Sequence, residues 1–323
     1  MWKKCIVLIL ILSIQSITIN TSFGAELESE QLLRKIALKT KTPWSYLAAV
    51  YRFEQNRFKR AKQKNQSPTL HISNEQWAGL WNPNLQDSNP DTIRYFQGIG
   101  RDGDGDQKAG RNNFLDQLYS VARFLGSQGT SDDHIRHQLW LFYQHPVTVD
   151  VITHMAKVFQ KFGSTKLTTN RFPLSLQSHY SYRDNWGASR GFGGRRSHEG
   201  NDIFADYGTP VLSTCYGYVE LIGWNRFGGW RIGIRDTENR YHYFAHLGKF
   251  SSKITKGTIV KPGDQLGVVG SSGYGPPGTS GKFPPHLHYG IYRFTGKTTY
   301  AFDPFPLLKK WELKEKKKLS HLD

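Results

Sequence analysis

The spacing of apolar residues changes character about halfway along the chain. Up to residue 165, apolar side chains recur at the spacing of an amphipathic helix. This half is predicted to form helices over residues 26–63, 113–125, 134–143 and 147–162. From Phe172 onward, short alternating segments are separated by Gly and Pro turns, which predicts antiparallel strands. The predicted fold therefore has two domains, the first mainly α and the second mainly antiparallel β.

The alternating half contains six candidate strands and ends in a basic segment. The strands are predicted over residues 211–213, 216–224, 230–236, 240–246, 265–269 and 286–292. Residues 307–319 carry six lysines and are predicted to form either a short amphipathic helix or a disordered arm. A run of like charge is typical of a solvated surface, with attraction to an anionic wall or membrane as the alternative.

The first 24 residues have the layout of a secretory signal peptide. Two lysines precede an unbroken apolar run over residues 5–12, and residues 22–24 offer a small-x-small cleavage site. The run is shorter than the roughly 20 apolar residues of a membrane-spanning helix, with an uncleaved anchor as the alternative. Cleavage would remove Cys5 and leave Cys215 as the single cysteine, so no internal disulfide could form.

The net charge narrows the choice of partners. The chain has 43 Lys and Arg residues against 26 Asp and Glu, a formal charge of +17. Such an excess favours polyanionic partners. Because a signal peptide predicts export, we expect a secreted, extracytoplasmic, wall-associated protein whose partners are peptidoglycan and other anionic wall polymers, not nucleic acid. No stable membrane span is expected after signal cleavage.

Candidate metal chemistry is concentrated in the second half. His286 and His288 are two residues apart on a predicted strand, so their side chains share a face. His198 and Asp202 are four residues apart, and His246 lies at the end of another predicted strand. Histidine nitrogen and carboxylate oxygen are ordinary zinc ligands. For the histidine pair alone, hydrogen bonding within the sheet is the alternative.

These elements together closely resemble the M23 metallopeptidase family of LytM and lysostaphin type. The resemblance consists of H-x-x-x-D, a histidine before leucine, and H-x-H, in that order, and it extends over about residues 172–305. It implies that His198, Asp202 and His288 bind one zinc ion, that His246 and His286 are the catalytic histidines, and that a peptide bond of peptidoglycan is cut. Which catalytic histidine takes which role stays open.

The chemistry agrees with that division of roles. Three protein ligands leave one tetrahedral position open, which distinguishes a catalytic from a structural zinc site. Water at such a site has a pKa of about 7. A neighbouring histidine can then accept its proton, while another stabilises the oxyanion that forms.

Several neighbours of these histidines also have expected positions. His242 shares a strand face with His246 by the period of two, so it is expected to line the substrate groove, and Tyr243 to pack on the opposite face. Glu199 is expected to orient an adjacent ligand, and Cys215 to lie in the core. Three aromatic residues are candidates for the groove, with packing in the sheet as the alternative: Trp224, Trp230 and Tyr274.

The helical half contains an Asp/Gly segment with partial likeness to a calcium-binding loop. Asp102, Asp104 and Asp106 alternate with glycines, which predicts a calcium site. However, Gln107 stands where such a loop needs glycine, and Asn113 where it needs a bidentate glutamate. A solvated Asp/Gly turn is the alternative.

The same half resembles part of the soluble lytic transglycosylase fold. Residues 43–50 and the segment from Gly98 to Leu125 carry this resemblance. It would place Glu54 near the family's catalytic position, but Gln55 follows instead of the usual small hydroxyl residue. Glycan cleavage by Glu54 is therefore an alternative to a wall-binding or scaffolding role.

Together these features predict the domain organisation and the reaction. The predicted order is a signal peptide at 1–24, a helical wall-associated domain at 26–165, a linker at 166–171, a zinc peptidase domain at 172–306 and a basic tail at 307–323. An Asp/Gly segment before such a peptidase resembles the architecture of spore-former enzymes that cut the L-Ala–D-Glu bond of stem peptides during cortex formation. The alternatives are cutting a D-Ala–diaminopimelate or cross-bridge bond, and a non-catalytic wall-binding scaffold.

Overall fold

The computed structural model of the protein describes residues 29–58, 70–192 and 194–320. The chain divides into two compact units. Of the described residues, the first unit comprises 29–51, 70–142 and 164–166, and the second comprises 52–58, 143–163, 167–192 and 194–320. The predicted signal peptide lies outside the described residues. No helix among the described residues is long and apolar enough to cross a membrane.

The first unit is helical, as predicted. Its helices are α1 (29–40), α2 (Trp44–Phe58, shared with the second unit), α3 (Asn74–Ala78), α4 (Pro90–Tyr95), α5 (Phe114–Leu125) and α6 (Asp132–Tyr143). The stretch predicted to be helical over 26–63 contains α1 and α2, and Lys41, which adopts a left-handed conformation with φ of 56°, ends α1. Asn113 caps α5 by accepting the backbone N–H of Leu115.

The second unit contains an antiparallel sheet with helices α7 (Pro146–Phe162) and α8 (Phe305–Leu319). Its strands are β1 (Tyr180–Tyr182), β2 (Ser189–Arg190), β3 (Arg196–Ser197), β4 (Asn201–Ala205), β5 (Pro210–Leu212), β6 (Gly217–Asn225), β7 (Gly229–Asp236), β8 (Arg240–Phe250), β9 (Ile259–Val260), β10 (Gln265–Val269), β11 (His286–Phe294) and β12 (Thr299–Phe302). The predicted two-domain α and β architecture is thus confirmed, and the basic segment is helical, in α8.

Helix α7 groups with the sheet, although the predicted helical domain at 26–165 included it. The imidazole of His154 stacks on the ring of Tyr218 at a centroid distance of 4.0 Å, and its Nδ1 lies 2.8 Å from a carboxylate oxygen of Glu220. Both partners lie on β6, so α7 is fixed against that strand. The predicted domain boundaries stay a prediction.

The strand order brings distant segments of the chain together at the middle of the sheet. The main sheet runs β1-β4-β11-β8-β7-β6-β9, with β12 beside β11 and β10 paired to both β5 and β8. Strand β11 therefore lies between β4 and β8, and His288 pairs with Asp202 on one side and with Ala245 on the other. Residues far apart in sequence become direct neighbours here.

The alternation along β11 explains which residues face the core and which do not. Leu287, Tyr289 and Ile291 have no exposed surface and pack in the apolar core of the unit. Since successive side chains of a strand point to opposite faces, His286 and His288 project from the other face. Burial of the apolar set fixes the register of β11, because a slip of one residue would turn these side chains out of the core.

Helix α8 is attached to the edge strand β1 through one carboxylate. The hydroxyls of Tyr180 and Tyr182 donate to Glu312 at 2.7 and 2.6 Å, and Lys316 donates to it at 2.8 Å. Burial alone would raise the pKa of Glu312, but these hydrogen bonds and the Lys316 charge lower the pKa from 4.5 to about 2. The ionised carboxylate therefore stabilises the folded state.

We expect Glu312→Gln to lower the free energy of unfolding by about 1 to 3 kcal/mol at pH 7, the range for hydrogen bonds to a charged group. Because the folded-state pKa lies below 4.5, this stabilisation is complete above pH 4.5 and disappears as pH falls through about 2. Urea unfolding of both proteins between pH 7 and pH 2 checks this. If the difference in unfolding free energy stayed constant over that range, the ionised Glu312 carboxylate would not be the source of the stabilisation.

Candidate metal centre

The three predicted metal ligands converge in the structure. His198 Nε2 lies 2.9 Å from His288 Nδ1 and 3.0 Å from Asp202 Oδ1, and His288 Nδ1 lies 3.0 Å from Asp202 Oδ1. The three donor atoms therefore form a nearly equilateral triangle. Bonds of about 2.0 Å to one tetrahedral cation need donor atoms about 3.3 Å apart, so the side chains need to separate by only a few tenths of an ångström.

The strands and one glycine create this triangle. Asp202 on β4 and His288 on β11 are directly paired across the two strands. His198 lies just before β4 and is 2% exposed. A Cβ atom at Gly200 would lie 2.5 Å from Cε1 of His288, so only glycine leaves room for that imidazole.

The hydrogen-bonding roles of the three donor atoms also favour a bound cation. His198 Nδ1 lies 2.8 Å from the backbone carbonyl of Asn185 and donates to it, which leaves Nε2 with a lone pair directed at the other two donors. The carboxylate of Asp202 is an acceptor as well. A single proton on His288 Nδ1 cannot form a full hydrogen bond to both His198 Nε2 and Asp202 Oδ1. A cation placed between the three atoms is attracted to all of them.

The electrostatics of the cluster also favour a cation. Burial alone would raise the pKa of Asp202, but the hydrogen bond from His288 and the positive charges that His288 and His286 would carry hold the pKa of this carboxyl far below its ordinary value. Burial lowers the pKa of His288, although Asp202 opposes that change. At neutral pH the site therefore presents the negative charge of Asp202 beside the neutral imidazole of His288.

Two residues that the sequence reasoning did not single out hold the cluster in place. Besides binding His198, Asn185 accepts the backbone N–H of Asp202 through its side-chain oxygen, at 3.2 Å. Arg190 on β2 donates to the second oxygen of Asp202. Such partners orient ligands and fix the tautomer of a ligating histidine. Asn185 lies inside the region 172–305 that resembles the family but outside its three motifs.

The two predicted catalytic histidines lie beside the triangle. His246 Nδ1 donates to the carbonyl of Ser272 at 2.7 Å, and His286 Nδ1 donates to the carbonyl of Pro284 at 2.9 Å. In both rings Nε2 is therefore the nitrogen with a lone pair. The two ring centroids are 4.8 Å apart, and that of His246 is 5.9 Å from that of His288.

Burial dominates the acid–base properties of these histidines. It lowers the pKa of His246 to about 3, helped by the nearby positive charges that His286 and His288 would carry. Burial also lowers the pKa of His286, against the opposing effect of Asp202. Both imidazoles are therefore neutral near pH 7 and can accept a proton.

The expectation for His242 and Tyr243 was wrong, and a β-bulge is the reason. His242 is fully buried, with its ring nitrogens 2.7 Å from the Tyr289 hydroxyl and 3.1 Å from Asp236. Tyr243 instead lines the groove. The pairing of β7 and β8 shifts register between Trp230 and Ile232, so the period of two breaks before His246, whose φ of 62° is left-handed.

A groove of about 830 Å³ contains all five predicted site residues. Tyr274 lines it, whereas Trp224 packs on Trp230 at a centroid distance of 5.2 Å. Glu199 lines the groove with an exposed side chain, and its expected role in orienting a ligand is filled by Asn185 and Arg190. Cys215 is buried in the core, as expected.

In the predicted calcium loop, the aspartate carboxylates accept hydrogen bonds from backbone N–H groups of the loop itself. Asp102 accepts the N–H groups of Gly105 and Gln107, and Asp104 and Asp106 each accept an N–H two residues ahead. The acidic cluster that forms contains Asp116 besides Asp102 and Asp104, and it leaves out Asp106. The calcium site stays a prediction.

Glu54 is enclosed by its partners. It is 1% exposed, accepts a hydrogen bond from the Tyr143 hydroxyl at 2.9 Å and forms an ion pair with Arg57 at 3.1 Å. A general acid has to reach the glycosidic oxygen, and this carboxylate is closed off from solvent. Glycan cleavage by Glu54 stays a prediction that this environment does not favour.

With this geometry established, comparison with known proteins identifies similar peptidases. The sequence profile described as Peptidase family M23 matches residues 196–304. The L-Ala–D-Glu endopeptidase of Bacillus subtilis is 52% identical over 291 residues, covering 89% of this chain and 89% of that protein. The glycyl-glycine endopeptidase ALE-1 of Staphylococcus capitis is 34% identical over 115 residues, 35% of this chain and 29% of that protein.

Among solved structures, the catalytic domain of the antimicrobial peptidase lysostaphin from Staphylococcus simulans aligns with a TM-score of 0.33 and 32% identity, covering 40% of this chain and 92% of that domain. The similarity to the Bacillus subtilis enzyme extends through both units, since it covers 89% of the chain. Because that similarity spans nearly the whole of both proteins and the profile match contains every predicted ligand, the chain belongs to peptidase family M23.

Proposed function

We propose that the protein is a zinc endopeptidase that hydrolyses the L-Ala–D-Glu bond in the stem peptides of peptidoglycan. The observation that carries this proposal is the triangle of donor atoms from His198, Asp202 and His288, with two imidazoles beside it in one groove. The choice of bond is supported by the 52% identity to an enzyme of that specificity.

In this proposal His198, Asp202 and His288 hold the zinc ion. Bound there, zinc polarises a peptide carbonyl and lowers the pKa of water to about 7. The chain holds the ligands in place beforehand, since the Asn185 carbonyl fixes the tautomer of His198 and Arg190 binds the free oxygen of Asp202. Three protein ligands leave a position for water or substrate, as in catalytic zinc sites.

His246 and His286 move the protons. Each directs Nε2 away from the backbone carbonyl that accepts its Nδ1–H, so this nitrogen can take the proton of the attacking water. A protonated Nε2 can then donate to the oxyanion or to the departing amine. The surroundings of the two rings differ in one contact, since His286 Nε2 lies 3.7 Å from Asp202 Oδ1.

Export to the cell wall completes the proposal. It is supported by the signal-like first 24 residues, by the formal charge of +17 and by a substrate that lies outside the cytoplasmic membrane. We further propose that the helical unit helps to position the enzyme on the wall and that the protein acts in wall or spore-cortex remodelling.

The test is to incubate the zinc-loaded mature protein with defined muropeptides and to identify the products by mass spectrometry. New N-terminal D-glutamate is the expected product, and a His246→Ala variant is the control for contaminating hydrolases. Cutting at D-Ala–diaminopimelate or in a cross-bridge would overturn the choice of bond. New reducing or anhydro sugar ends would move the activity to the helical unit, and no product at all would favour a scaffold.

A further inference from the structure

The groove contains more positive charge than its own carboxylates neutralise. Four arginines line it: Arg190, Arg196, Arg231 and Arg235. Arg190 is paired with Asp202, and Arg235 donates to Glu220 at 3.1 and 3.2 Å. Among the described residues, neither Arg196 nor Arg231 has a carboxylate within ion-pair distance. We call these two residues the arginine pair.

The two members of the arginine pair have different surroundings, since Arg231 is half-buried, whereas Arg196 is exposed and its guanidinium lies 5.4 Å from the centre of the Phe227 ring. Nε of Arg231 is buried and has no hydrogen-bond partner in the described part of the chain. Leaving a buried donor unpaired costs free energy, and the cost is larger for a charged group. Arg196 is paired across the β2–β3 hairpin with Arg190, and like charges in that position repel each other.

The arginine pair lies next to the proposed zinc site. Arg231 is on β7 at the shift in register that faces the bulge of β8, one residue before Ile232, which pairs with Phe244. Tyr243 lines the same groove as the arginine pair. The Tyr243 ring is in turn 5.9 Å from that of His288.

The proposed substrate carries a free carboxylate on the residue next to the bond that is cut. Glutamate has two carboxyl groups, and a peptide chain continues through only one of them. The other therefore remains as a free carboxylate, ionised at neutral pH, on the residue that follows the L-Ala–D-Glu bond. An arginine fork recognises a carboxylate with directed, charge-assisted hydrogen bonds.

We propose that the arginine pair binds this free carboxylate and so selects a glutamate residue on the amine side of the bond that is cut. This inference rests on the proposed function and names the group that the same site recognises. A substrate with glycine at that position lacks the carboxylate and would leave the two charges unpaired. Specificity then comes from weaker binding of the wrong substrate as much as from attraction of the right one.

The experiment compares two synthetic stem peptides that differ at one group. One carries the free carboxylate of the D-glutamate residue, and the other carries a carboxamide of nearly the same shape. The zinc-loaded full-length protein is expected to cleave the carboxylate peptide with a kcat/KM about 10- to 100-fold higher, the range for one hydrogen-bonded charge. Raising the salt concentration should reduce this preference, because salt screens charges.

Variants then assign the preference to residues. Arg231→Gln and Arg196→Gln should each bring the carboxylate-to-carboxamide ratio of kcat/KM down towards 1. Arg226→Gln, which removes an exposed arginine outside the groove, should keep the native ratio. The ratio does not depend on how much of a variant is folded, so partial misfolding does not obscure it.

The outcomes separate this inference from the proposed function. If the native protein cuts L-Ala–D-Glu in both peptides at equal rates, the bond is right and the arginine pair does not read the carboxylate. If it cuts neither peptide at that bond, the proposed function itself fails. If the preference is present but survives both arginine substitutions, another residue reads the carboxylate and the inference is overturned.

Discussion

Replacing Asp202 with alanine should remove zinc binding and lower kcat/KM by at least about 10³-fold, the scale of the several kcal/mol that a bound metal contributes to the transition state. The substitution deletes one of three ligands and the negative charge of the site. It also leaves the Arg190 guanidinium, which now binds Asp202, without its partner and directed at the place of the cation. The loss of zinc affinity should therefore exceed that of a missing ligand alone.

Zinc content of the purified protein and muropeptide cleavage by the same sample measure this effect. Asp206→Ala is a matched control, because it removes an exposed carboxylate four residues further along. That variant should keep both zinc and activity. Full zinc occupancy in Asp202→Ala would exclude Asp202 from the ligand set.

Replacing His246 with alanine should separate proton transfer from metal binding. We expect kcat to fall by about 10²- to 10⁴-fold, the usual contribution of a general acid or base, while the zinc content stays at the native level. His246 makes one hydrogen bond through its ring, to the Ser272 carbonyl, and none to the donor triangle, so its loss leaves the three ligands in place. His286→Ala should lower kcat by a similar factor, and its zinc content is measured as well, because His286 Nε2 lies 3.7 Å from Asp202 Oδ1.

The control for this prediction is His179→Ala, since the His179 side chain is 94% exposed and lies outside the groove. Activity and zinc content should both match the native protein in that variant. If His246→Ala lost zinc together with activity, His246 would be a ligand and the division of roles would need revision. If it kept full activity, the proton would have to be moved by another group.

Much of the site could be predicted because its candidate ligands and catalytic histidines belong to short motifs that occur in a fixed order. The pairs His198 with Asp202 and His286 with His288 are each local in sequence, and a strand places the second pair on one face. The sequence alone does not predict that these two pairs lie close together, because that depends on the position of β11 between β4 and β8. The resemblance to a family supplied that information in place of the physics.

The failure at His242 and Tyr243 has a specific physical cause. Strand reasoning assumes a strict period of two, and one extra residue in β8 reverses which face every later side chain occupies. The left-handed backbone at His246 marks that place, but a histidine gives no sequence signal for it, as a glycine would.

The supporting residues were missed for another reason. Asn185 and Arg190 act from a loop and a two-residue strand, where neither periodicity nor residue type predicts a contact with Asp202. Helix α7 shows the same limit on a larger scale, since its apolar face looked like any helix of the first half but belongs with the sheet. An apolar pattern predicts that one face of a helix is buried, but it does not predict which other element covers that face.

The location of the metal tests the account most directly. Crystals of the zinc-loaded protein should give one strong anomalous peak at the zinc absorption edge, about 2.0 to 2.2 Å from His198 Nε2, His288 Nδ1 and a carboxylate oxygen of Asp202. His246 and His286 should lie near that peak without bonding to it. A peak held by other side chains, or a loaded protein with no peak between these three residues, would contradict the account.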